Sequence, residues 1–223
     1  MDRNERPSEP AAVLLRLLAW LSPAFPTGAF AYSHGLEWAV ESGDVRDGAT
    51  LQEWLEDVLR HGAGRTDAIL LRHAHACEDV AALGRAVPAS RERLAETVGQ
   101  GDAFVRAAEP WRALTPAPSQ SEQHGVPIAV AIGALTGRHG IDPDLACAAM
   151  LQAFTANLIF AAVRLVPLGQ SVGLAVLAAL EPSILAVAEE TRGAALADIG
   201  GCAWRSDIAA MRHETQHTRL FRS

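Results

Sequence analysis

Apolar positions along this chain recur at helical rather than strand spacing. Leu51, Trp54, Leu55, Val58 and Leu59 fall on one helix face, and Leu70, Ala74, Cys77 and Ala81 align in the same way. No run alternates apolar with polar residues as a half-buried strand would. The breaks between runs are set by prolines, glycines and capping residues. A first helix over Ala11–Leu21 stops at Ser22-Pro23, because the residue before a proline avoids the helical region. A second is expected from near Phe30 to Ser42-Gly43. Thr50 opens a third, with Glu53 three residues on as a capping box, and Gly62 and Gly64 close it. Single helices are then expected over Asp67–Val87 and from Ser90 to about Ala108. Residues 109–124 carry Pro110, Pro116 and Pro118 and read as a loop. Helices follow over Val126–Arg138 and from Asp142-Pro143, a cap followed by a first-turn proline, to about Leu165. Pro167 breaks the chain, Leu168–Leu180 resumes it, Glu181-Pro182 breaks it again, and one more helix reaches about Leu196. Ser206–His217 is a short final helix or tail.

The expected fold is all-α, a single globular domain of roughly eight to ten helices. Residues 1–10 are expected to be disordered, 11–205 to form the helical domain, and 206–223 to be a C-terminal helix and tail. Composition agrees. Apolar residues make up 49% of the chain, with Ala and Leu dominant, a bias towards helix. The formal net charge of −7 argues against a nucleic-acid partner, which calls for a basic stripe. The last dozen residues reverse the sign: Arg212, His213, His217, Arg219 and Arg222 stand against Glu214, a tail suited to an acidic partner. Cys77, Cys147 and Cys202 have no zinc spacing and read as reduced thiols of a cytoplasmic protein. The N-terminus is polar with mixed charge and does not read as a signal peptide. Leu145–Val163 is the most apolar stretch, but Gln152, Thr155 and Asn157 interrupt it and Arg164 follows, so it reads as a core helix rather than a membrane span.

Candidate chemistry is sparse. His213-Glu214-Thr215-Gln216-His217 matches H-E-x-x-H, the zinc-protease string in which two His one turn apart hold the metal. A third ligand is missing downstream, so His213 and His217 are weak metal candidates and an exposed helix face is the simpler reading. His73 and His75 are two apart and do not share a helix face. Ser33 and His34 are adjacent, so on a helix they point about 100° apart, a poor nucleophile–base pair. Gly62-Ala-Gly-Arg-Thr66 lacks the Gly-Lys-Ser/Thr of a phosphate-binding loop. Arg164-Leu-Val-Pro-Leu-Gly-Gln170 puts an arginine at the end of an apolar helix, either as a cation at the helix C-terminus or as a charged interface anchor. Leu220 and Phe221, flanked by arginines, read as a tail that docks on something.

Three segments together carry a family resemblance. Ser22-Pro-Ala-Phe-Pro-Thr-Gly-Ala-Phe-Ala-Tyr-Ser-His-Gly-Leu-Glu-Trp38, Arg164-Leu-Val-Pro-Leu-Gly-Gln170 and Met211-Arg-His-Glu-Thr-Gln-His-Thr-Arg-Leu-Phe-Arg-Ser223 resemble the three signatures of the urease accessory protein F (UreF) family, in the family's order. The resemblance spans residues 12–223. It implies an all-α homodimer without enzymatic activity that takes part in loading nickel into urease. Such proteins bridge a second accessory protein (UreD, also called UreH) and the GTPase UreG on the urease apoprotein, and modulate or gate GTP hydrolysis. The tail typically becomes ordered on UreD/UreH. Nickel is cargo of the complex, and no cofactor is implied. The contact residues implied are Pro23, Pro26, Gly28, Phe30, Tyr32, Ser33, Gly35 and Glu37 in the first segment, Arg164 and Gln170 in the second, and Met211, Arg219, Leu220 and Phe221 in the third. Two positions depart from the family pattern: Leu174 stands where a polar residue is expected, and His217 where an aromatic is usual.

Overall fold

Caps and breakers set the element order. The computed structural model describes residues 9–112 and 125–223, and all regular structure there is helical. In chain order the elements are α1 (Glu9–Trp20), a 3-10 turn at Ala29–Ala31, α2 (Leu36–Glu41), α3 (Gly48–His61), α4 (Ala63–His75), α5 (Ala81–Ala86), α6 (Arg91–Ala107), α7 (Glu109–Arg112), α8 (Ile128–Arg138), α9 (Pro143–Leu165), α10 (Gly169–Glu190), a second 3-10 turn at Leu196–Asp198 and α11 (Trp204–His213). Two caps stand where the sequence puts them. Ser90 Oγ accepts from Arg93 N at 3.1 Å, and Asp142 Oδ1 accepts from Asp144 N and Leu145 N at 2.9 and 3.0 Å.

Several boundaries differ from expectation. The second helix begins at Leu36, not near Phe30, because His34 and Gly35 are both left-handed, with φ of 61° and 77°. The third is capped by Asp47, whose carboxylate takes the Thr50 amide at 2.9 Å while Thr50 Oγ1 takes the Asp47 amide at 3.1 Å. Thr50 is thus the third helical residue rather than the cap. Gly62 does end α3, whereas Gly64 lies inside α4. Asp67–Val87 is not one helix. Cys77 turns left-handed at φ 67°, and Glu78 N reaches back to His73 O, a Schellman-type stop. The expected loop at 109–124 opens with the short α7, and its remainder, like residues 1–8, lies outside the described residues. Pro182 does not break α10. It removes the N–H that would bond the Ala178 carbonyl, but Ala178 borders an open groove where water can take that bond. The last helix is Trp204–His213, so His217 lies beyond it.

The core forms around α4 and α8. Cβ atoms added at Gly133 and Gly137 would come within 2.3 Å of the carbonyl oxygens of Leu71 and His75. Only glycine, at both ends of this four-residue spacing, lets the two backbones approach so closely. α3 and α9 pack on α4, α6 packs on α8, and α9 and α10 form a hairpin that also touches α3. Leu55, Leu59, Leu70, Leu71, Phe104, Leu151 and Leu180 are buried among these helices. Each such side chain stabilises the fold by roughly 1.5–3 kcal/mol. α9 and α10 are long and apolar enough, by length and composition, to cross a membrane. Their inner faces pack into this core and their outer faces stay apolar. α11 packs on α2 and α6, and this places the end of the chain beside the first signature segment.

Candidate functional site

The Pro23–Glu37 corner is built to receive a strand of chain. Gly28 (φ 76°) turns the backbone into the Ala29–Ala31 turn, and His34 and Gly35 then turn it into α2. Gly35 has a second constraint. A Cβ there would lie 2.7 Å from Ala210 N and 2.9 Å from Ala210 Cα, so α11 rests directly on the turn. This delivers the residues after His213 to the same corner.

Those residues fill it. Arg222 N donates to Ala31 O at 2.8 Å, and Ser33 N donates to Ser223 O at 2.8 Å. Ser33 Oγ accepts from Glu37 N at 3.3 Å and donates to Ser223 O. Glu37 is buried, and its two carboxylate oxygens take successive tail amides: Oε1 from Leu220 N at 2.6 Å and Oε2 from Phe221 N at 2.9 Å. Hydrogen bonds to a charged acceptor contribute about 1.5–3 kcal/mol each. Phe221 is buried, while its neighbour Leu220 is 56% exposed.

α6 supplies the other wall. Its Glu92 takes Arg219 Nη1 on Oε1 at 2.7 Å and the His213 ring Nδ1 on Oε2 at 2.6 Å. The other ring nitrogen of His213, Nε2, lies 3.2 Å from Glu37 Oε2. Glu96, one turn further along α6, accepts from Ser223 Oγ at 2.5 Å and pairs with Arg93. At the base of the tail, Glu214 takes the Arg91 amide at 2.8 Å and Gln216 donates to Glu41 at 2.5 Å. The second signature segment closes the arrangement. Arg164 Nη1 donates to Phe30 O at 3.0 Å, and its guanidinium lies 4.4 Å from the centre of the Phe221 ring. Asn157, on the same helix, donates to Ala29 O at 3.2 Å.

The predicted contact residues therefore divide. Ser33, Gly35, Glu37 and Phe221 are buried inside the clamp, and Arg164 and Arg219 brace it from its rim. Tyr32 and Gly28 are half-buried in the turn, and Pro23, Pro26 and Phe30 stand on its exposed edge, Phe30 at 73%. Met211 is exposed on α11 in a stripe with Trp204 and Ile208, at helical spacing. Gln170 is exposed in the first turn of α10 and is not part of the clamp. Sequence reasoning missed Glu92, Arg93 and Glu96. On an isolated helix such residues look like a solvated charged face, and nothing in the sequence says that a distant tail covers them. The tail was expected to order on a partner; here the chain's own corner and α6 hold it.

The motifs that could carry chemistry are not assembled among the described residues. His213 and His217 do not form the zincin arrangement, because α11 ends at His213, both His213 ring nitrogens face carboxylates, and His217 is exposed outside the helix. No group of three or more His, Cys, Asp or Glu side chains is placed to hold a metal ion among the described residues. Ser33 and His34 are not a nucleophile–base pair: the Ser33 hydroxyl donates to Ser223 O, and His34 Nδ1 lies 3.7 Å from Glu96. His73 and His75 hold separate loops, bonding Ala194 O at 3.0 Å and Ile141 O at 2.7 Å. Behind the clamp lies a cavity of ≈ 160 Å³ of mixed lining, in which His34, Asp67, Arg93 and Asp207 stand among apolar residues such as Leu70 and Val87. Burial and the Arg93 charge pull the His34 pKa down to about 4. Burial pushes the Asp67 carboxyl up to about 6, with Glu96 adding to the rise and Arg93 opposing it. Burial works against ionised Glu96, but Arg93, His34 and Ser223 outweigh it and hold its pKa at about 2.

Comparison with known proteins points one way. The UreF family model matches residues 45–181. A Cereibacter sphaeroides (strain KD131) protein named urease accessory protein UreF is 53% identical over 218 residues, covering 96% of this chain and all of that protein. Proteins of the same name from a Bradyrhizobium species and from Mesorhizobium japonicum are each 47% identical, covering 100% and 99% of this chain and the whole of each relative. Both the family match and these full-length likenesses place the chain in the UreF family of urease accessory proteins.

Proposed function

We propose that this protein is a non-enzymatic adaptor for nickel insertion into urease. It bridges UreD/UreH and the GTPase UreG on the urease apoprotein, acts as a homodimer in the cytoplasm, and gates GTP hydrolysis in step with nickel delivery. The observation that carries this reading is the convergence of the three signature segments on one clamp that holds the tail and leaves Leu220, Phe30 and Arg219 accessible. Exposed apolar side chains beside a rigid, hydrogen-bonded frame are the makings of an interface anchor. UreD/UreH is the partner assigned to the tail and to the neighbouring α11 stripe of Trp204, Ile208 and Met211. UreG is assigned to the edge around Arg164, whose guanidinium keeps donors free beyond the one given to Phe30. Nickel is the cargo of the assembled complex rather than a resident of this chain.

Co-purification tests the assignment. Removing the residues after His213 should abolish the complex with UreD/UreH, and Arg164→Ala should weaken recruitment of UreG while the dimer persists. Undiminished recovery of UreD/UreH with the truncated chain would remove the tail's role.

A further inference from the structure

One side chain of the clamp sits where a proton is needed to satisfy both of its neighbours. His213, the last residue of α11, is fully buried. Its Nδ1 lies 2.6 Å from Glu92 Oε2 on α6, and its Nε2 lies 3.2 Å from Glu37 Oε2 on α2. An ionised carboxylate accepts hydrogen bonds and cannot donate, and a neutral imidazole carries a single N–H. A neutral His213 therefore sets one ring lone pair against a carboxylate oxygen. The doubly protonated ring donates to both.

The balance of charge agrees. Glu37 and Glu92 bring two negative charges to the ring, and Arg219, with Nη1 2.7 Å from Glu92 Oε1, brings one positive charge. A proton on His213 makes the group neutral. Without it, one carboxylate charge stays uncompensated in the interior, a costly arrangement. The elements packed against His213 offer no other cation. On α6, Arg93 pairs with Glu96, Arg91 lies 3.7 Å from Glu214, and Arg106 is about four turns away. On α11, Arg205 faces Asp44 and Arg212 is exposed. The remaining acids nearby are engaged with the tail: Glu41 accepts from Gln216 and Glu96 accepts from Ser223.

The carboxylates that hold His213 also hold the tail. Glu37 takes the Leu220 and Phe221 amides, and Glu92 takes Arg219. We infer that His213 is a proton-operated latch: the protonated ring locks Glu37 and Glu92 in the positions that grip Arg219, Leu220 and Phe221, and loss of the proton releases them. The docked tail needs that proton. With the tail released, water solvates Glu37 and Glu92 and the need disappears. Docking thus takes up a proton and weakens as the pH rises. The consequence rests on the partner contact proposed for the tail: in alkaline conditions the fixed strand carrying Leu220 is no longer presented to it.

Hydrogen exchange of the isolated full chain tests the latch. Protection factors, corrected for the intrinsic pH dependence of exchange, are measured at the Leu220 and Phe221 amides from about pH 6 to about pH 9. Wild type should lose about tenfold or more in protection over that range, with α4 and α8 unchanged. His213→Gln, which cannot take up the proton, should show low protection already at the acid end and no further fall. Asp67→Asn should keep the wild-type fall, which separates the latch from this cavity carboxyl, raised by burial to about 6. Wild-type protection that ignores pH, or an equal fall in His213→Gln, would overturn the latch. The ring nitrogen shifts of wild-type His213 give a second readout. Both nitrogens should be protonated in the docked chain at the acid end and lose that signature in step with the amides; a neutral, single-tautomer ring beside a docked tail would also overturn it. No partner enters these measurements, so their failure would leave the adaptor reading standing, and failure of the UreD/UreH co-purification would leave the latch standing.

Discussion

Glu37 and Gly35 show how much of the clamp rests on single residues. Glu37 reads in the sequence as a surface contact, yet it is buried and takes two successive tail amides while facing His213. Gly35, implied by the resemblance as a contact residue, is the point where α11 rests on the turn, with no room for a Cβ. Gly35→Ala should therefore cost more than a left-handed φ alone. The conformation costs about 1–2 kcal/mol, and displacing the Ala210 backbone adds about 1–3 kcal/mol. Gly28 has the same φ with nothing within 4 Å of a Cβ, so Gly28→Ala should lose only the conformational share. Urea denaturation of the two variants checks this; equal losses would mean that α11 does not press on the turn. Arg164 is a residue of two duties. It braces the Phe221 ring and the Phe30 carbonyl and still presents charge at the edge.

Among the elements, the tail and α6 form the least legible pair. Helices capped by Ser90 and Asp142 could be read directly, because a cap is a local bond between neighbours in sequence. So could the α3 face, because its period is local too. The left-handed His34 and Cys77 could not, since neither is glycine and each is held by contacts beyond its own turn or by the helix it terminates. Pro182 was read as a break because sequence does not reveal that the carbonyl it orphans borders an open groove. Glu92 and Glu96 were invisible for a related reason: their partners, His213, Arg219 and Ser223, lie more than a hundred residues away. The resemblance supplied which segments matter, and the structure supplies that they touch. At this scale the clamp predicts a protection pattern. Glu37→Gln should raise hydrogen exchange at the Leu220 and Phe221 amides about tenfold while leaving α4 and α8 unchanged. Unaltered exchange at those two amides would mean that Glu37 does not hold the tail.

At the scale of the molecule, the surfaces are separated by kind. The clamp gathers charge and hydrogen bonds at the meeting of α2, α6, α9 and α11, and the outer faces of α1 and the α9–α10 hairpin remain apolar. The acidic body and basic tail are not independent. Arg219 and His213 are met by Glu92 and Glu37 of the same chain, so the tail presents less free charge than its composition promises. What it presents instead is shape: a fixed strand with Leu220 outward, a form suited to recognition by another protein. The adaptor role proposed above calls for such fixed surfaces, and Ser33 and His34 are both committed to structure. The most direct measurement is urease activity in cells that co-express the urease subunits with UreD/UreH, UreG and nickel, with and without this chain. The account predicts active urease only when the chain is present, and loss of that activity when the residues after His213 are removed. Full urease activity in its absence would contradict the account.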